Sequence, residues 1–66
     1  MAPAPCFKVK VTHPSLRIRR APSLLAGVVG LITNFGIYDI YDTSDGWGKL
    51  ADETWIMLKY TEKLGD

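Results

Sequence analysis

Few side chains in this sequence could make or break bonds. Cys6 and His13 are its one cysteine and one histidine. A thiol and an imidazole are the minimum for nucleophilic catalysis, but they need a rigid scaffold to orient them. Cys6 follows Pro3 and Pro5 in a terminus that supplies none. A hydrolytic zinc site takes at least three protein ligands and leaves one position open for water, and one His with one Cys do not make it. Asp42 and Asp45 could form an acid/base pair, yet they border Thr43-Ser44-Asp45-Gly46, where aspartate is ordinarily a turn former. The expectation is a chain with no catalytic residue, no metal and no cofactor.

Binding is better provided for. Tyr38, Tyr41, Trp47, Trp55 and Tyr60 all fall in the second half of the chain. Strand parity sorts them. With Leu50 and Gly48 directed inward, Trp47 and Lys49 take the opposite face, so Trp47 is expected to be at least partly exposed. Tyr38 shares the core face with Ile40, and Tyr41 is expected to approach Trp47 across a hairpin. Trp55 precedes inward-directed Ile56 and should face outward. A groove of Tyr41, Trp47 and Tyr60 would offer aromatic faces to a partly apolar ligand, with Asp45 or Asp42 accepting from amide or hydroxyl donors. Trp55 completes the candidate ligand-binding set.

Charge is unevenly distributed. Residues 1–33 contain Lys8, Lys10, Arg17, Arg19 and Arg20 and no acid, whereas residues 34–66 hold three lysines against seven acids. If the halves fold together, these charges can pair across neighbouring strands, leaving a dedicated polyanion surface as the weaker reading. The run Ala21–Tyr38 has no charge, but Pro22, Gly27, Gly30, Asn34 and Gly36 divide it into stretches too short to cross ~30 Å of hydrocarbon. It reads as a buried strand between turns.

Sixty-six residues allow one small domain. Residues 1–6 read as a linker or stub without the features of a secretory signal, and residues 7–66 as the domain. Phe7-Lys8-Val9-Lys10-Val11 and Leu16-Arg17-Ile18-Arg19 alternate with period two, as half-buried strands do. Val28–Ile32 has the β-branched character of a core strand, and Ile37–Asp42 follows as another. Asp45-Gly46 is a strong hairpin signal, because both residues tolerate positive φ. Trp47–Leu50 returns, Ala51-Asp52-Glu53 turns, and Thr54–Met57 forms the next strand. Leu58–Tyr60 reads as one helical turn, and Thr61–Leu64 closes the chain. Short strands at this spacing imply an all-β fold, a small barrel of five to seven strongly bent antiparallel strands.

Leu16-Arg17-Ile18-Arg19-Arg20-Ala21-Pro22-Ser23, Val28-Val29-Gly30, Gly46-Trp47-Gly48-Lys49-Leu50 and Thr54-Trp55-Ile56 occur in an order and spacing that resemble the bacterial SH3-like domains, over about residues 7–64. The likeness is nearest to the C-terminal modules of N-acetylmuramoyl-L-alanine amidases and phage endolysins, where Gly-Trp-Gly-Lys-Leu and Trp-Ile-x-Leu-x-Tyr-Thr-x-Lys-Leu recur. Ala21 and Thr54 stand where that family has glycine, and Arg17 and Arg20 where it has smaller polar residues. The resemblance implies an SH3-like barrel that binds peptidoglycan, its stem peptides or its crossbridges, and targets a hydrolase domain in the same polypeptide. It implies a secreted or wall-associated location for the whole protein, with no membrane partner. Two other readings stay open: a peptide-binding or oligomerisation module, and a nucleic-acid-binding barrel using the basic first half.

Overall fold

The structure, a computed structural model, describes residues 4–65. Among them the chain forms eight strands: β1 (Phe7–Val11), β2 (Leu16–Arg19), β3 (Val28–Ile32), β4 (Ile37–Ile40), β5 (Asp42–Ser44), β6 (Trp47–Lys49), β7 (Trp55–Met57) and β8 (Thr61–Leu64). One 3-10 turn, Leu58–Tyr60, joins β7 to β8. Two antiparallel sheets result, with strand orders β4-β1-β8 and β3-β2-β7-β6-β5. The ladders form no closed ring.

Alternation places the core between the sheets. Val9 and Val11 of β1, Leu16 of β2, Ile32 of β3, Ile40 of β4 and Ile56 of β7 are buried together with Leu50, and Phe7, Ile18, Tyr38, Leu58 and Tyr60 pack against them. Each buried aliphatic contributes about 1.5–3 kcal/mol through water exclusion. Gly48 lets the 3-10 turn and β4 close over β6. A Cβ there would stand 2.6 Å from Leu58 Cδ2 and 2.9 Å from Ile40 Cδ1.

The Asp45-Gly46 hairpin forms as its composition dictates, with φ of 46° and 85°, the sign pair of a type I′ turn. The second turn depends on Glu53 instead, at φ 63°. Leu50 N–H donates to the Thr54 carbonyl at 2.7 Å, and Glu53 N–H to the Leu50 carbonyl at 3.1 Å. Neither Ala21 nor Thr54 has positive φ, so neither position requires glycine.

Two expectations are corrected. The single strand Ile37–Asp42 is divided at Tyr41, because β4 bonds to β1 in one sheet and β5 to β6 in the other, which raises the strand count to eight. Val28–Ile32 is an edge strand rather than a buried one. It pairs with β2 alone, so only Ile32 is buried while Val28, Val29 and Leu31 lie open. No helix among the described residues is long and apolar enough to cross a membrane.

Candidate binding site

The core-averted face of the five-stranded sheet carries two of the five candidate residues, Trp47 and Trp55, in adjacent rows. The β6–β7 register opposes Trp47 to Met57 and Lys49 to Trp55, and β2 meets β7 with Arg19 opposite Trp55. Antiparallel counting then sets Arg17 level with Met57. One row therefore runs Arg17, Met57, Trp47, and the next Arg19, Trp55, Lys49. Parity had put Trp47 on this face, and it stays outside the aliphatic core cluster. Its expected exposure is overturned: the indole is only 6% accessible.

A pocket of about 140 Å³ opens beside that indole. Trp47 and Met57 contribute from the sheet, Tyr60 from the 3-10 turn, Leu24 from the loop after β2, and Arg17 and Arg19 from β2 itself. His13, Ser15 and Leu16 complete the lining. The loop is held in place by Arg19, whose Nη1 donates to the carbonyls of Leu24 (3.0 Å) and Ala26 (2.9 Å). Arg20 N–H adds a bond to the Gly27 carbonyl at 3.0 Å.

Tyr60 is fixed from behind. Its carbonyl accepts from Thr12 N–H (2.9 Å) and Thr12 Oγ1 (3.0 Å), and its ring lies 4.8 Å from the His13 ring at a 55° tilt. His13 Nδ1 is 2.7 Å from the Ser15 carbonyl oxygen. The Ser15 backbone nitrogen lies 3.2 Å from the same Nδ1, so the ring is held against the Ser15 backbone. The hairpin is tied to the same corner, since Leu58 N–H donates to the Gly46 carbonyl at 2.9 Å.

Of the five candidate residues the structure brings Trp47 and Tyr60 together. Tyr41 does not reach Trp47. It lines a separate, more open groove of about 430 Å³ with Tyr38, Asp39, Leu50 and Asp52. The switch of sheets at Tyr41 accounts for this. Asp45 is an exposed turn residue that lines neither cavity, and Trp55 shares the sheet face with Trp47 without entering the pocket. Met57, Leu24, Arg17 and Arg19 were missed as lining. The alternation Leu16-Arg17-Ile18-Arg19 was the available signal, since it sends both guanidinium groups to the face that carries Trp47.

Charge at the pocket is one-sided. Its lining includes two arginines and no acid. Among the described residues the ion pairs are Lys8–Asp39 and Lys49–Glu53, both elsewhere. The expected pairing across strands thus occurs at Lys8, whose pKa is raised above 10.5 by its hydrogen bond to Asp39 and then by that carboxylate's charge. Among the described residues the arginine cluster has no such partner. No group of three or more His, Cys, Asp or Glu among the described residues is placed to hold a metal. No family model, curated protein or solved structure matches the chain.

Proposed function

We propose that the two sheets are the halves of a small SH3-like barrel, and that the chain is a noncatalytic module binding bacterial peptidoglycan to hold an attached wall hydrolase near its substrate. The observation that carries this reading is the meeting of Trp47 and Tyr60, thirteen positions apart, at one pocket. These aromatics belong to the motifs that resemble the wall-binding modules. The mechanism is effective concentration: a weak site raises the encounter rate of a linked catalytic domain with its bonds without touching the reaction.

Co-sedimentation with purified sacculi tests it. The wild-type chain should be retained, and Met57→Lys, confirmed as folded by circular dichroism, should be lost to the supernatant. No retention of the wild type overturns the function, and equal retention of both proteins overturns the site.

The exposed edge of β3 favours a second reading as an assembly module, since Val28, Val29 and Leu31 present apolar side chains on a strand with one open edge. Light scattering across a concentration series separates the two: a concentration-dependent mass supports assembly, and a constant monomer mass removes it.

A further inference from the structure

We infer that the pocket beside Trp47 recognises a free peptide carboxylate, with one small apolar residue seated against Trp47, Met57 and Tyr60 and the carboxylate held by Arg17. The inference rests on the peptidoglycan reading and narrows it to peptide ends rather than glycan.

Size favours a small group over a sugar ring. Pockets for drug-sized ligands run about 300–1,000 Å³, whereas an apolar cavity of roughly 150 Å³ holds a benzene. At about 140 Å³ this one has room for a single small side chain and its terminal group. Stacking of a sugar face also needs an open indole, and Trp47 is 6% accessible. The pocket wall is therefore what a ligand meets.

Charge then selects the terminal group. Arg19 already spends Nη1 on the Leu24 and Ala26 carbonyls and is half-buried. Arg17 is exposed on the same strand face and makes no ion pair among the described residues. A guanidinium presents a planar fork of donors that matches a carboxylate in two parallel bonds. With no acid among the described lining residues, an ammonium would find no anionic partner, and a neutral amide would accept from Arg17 without the charge assistance that a carboxylate gains.

The experiment is an amide-shift titration of the full chain with D-alanyl-D-alanine and, separately, with its C-terminal amide, alongside sacculi retention of the same preparation. The free acid should move the resonances of Arg17, Trp47 and Tyr60. Amidation of the ligand should weaken binding about ten- to a hundred-fold, the range for losing a hydrogen-bonded charge. Arg17→Gln should give a similar loss, with partial recovery in Arg17→Lys, while Arg20→Gln outside the lining should bind as the wild type does. Equal affinity for acid and amide, or shifts confined to the Tyr41 groove, overturns the inference. Tighter binding of an oligothymidylate at the same residues, falling steeply with salt, overturns it in favour of nucleic acid. If sacculi are still retained when acid and amide bind alike, the carboxylate reading alone has failed. If neither sacculi nor peptide binds, the wall-binding reading has failed with it.

Discussion

Arg17 and Arg19 are two positions apart on one strand face, yet their surroundings give them different work. Arg19 satisfies two loop carbonyls and so determines where Leu24 stands. Hydrogen bonds from a charged donor contribute about 1.5–3 kcal/mol where water is excluded and less where it is not. Arg19→Ala is expected to destabilise the fold by about 1–2 kcal/mol and to speed amide exchange through residues 20–27. Arg17→Ala, at an exposed site whose side chain makes no hydrogen bond or ion pair among the described residues, should change stability by less than about 0.5 kcal/mol. Urea midpoints and exchange rates of the two variants check both. Glu53 invites the opposite change. Its left-handed backbone carries a Cβ penalty of about 1 kcal/mol, and its 3.7 Å ion pair with Lys49, in which the Glu53 side chain is 84% exposed, offsets little of it. Glu53→Gly should raise the thermal midpoint.

The strands were legible where local pattern decides. Lys8-Val9-Lys10-Val11 alternates, Asp45-Gly46 supplies positive φ, and both appear in the structure as read. What parity does not convey is what lies over a face. It assigned Trp47 to the core-averted side, but the loop that narrows the space there is positioned by an Arg19 contact with residues five and seven places away. Tyr41 failed for a related reason. The pattern through Ile40-Tyr41-Asp42 is continuous, and only long-range pairing reveals that the strand changes sheets. Between β1 and β4, register predicts a pH effect. Lys8 faces Asp39, and its raised pKa means the folded state holds that proton more tightly than the unfolded chain. The associated stability is present below pH 10.5 and is lost as pH rises through the folded value. The gap in urea midpoint between wild type and Lys8→Met should therefore close at strongly alkaline pH. A gap that persists there contradicts the linkage.

At the scale of the whole molecule, the margin is narrow. A domain this small typically holds about 3–5 kcal/mol in reserve, while truncating a buried isoleucine removes about 2–5 kcal/mol. Ile56→Ala should therefore leave a largely unfolded population at 37 °C, visible as lost dispersion of amide resonances. Retention of a native spectrum would mean that the seven-residue aliphatic cluster is not what limits stability.

The pairing of Lys8 with Leu64 joins the first strand to the last. Directly opposed residues in an antiparallel pair sit about 5 Å apart. Segments leaving the two extremities of the fold thus depart from a common anchorage, and a neighbour attached at either one swings about nearly the same pivot. Moving a cargo from the front of the polypeptide to the back would consequently alter its reach by little.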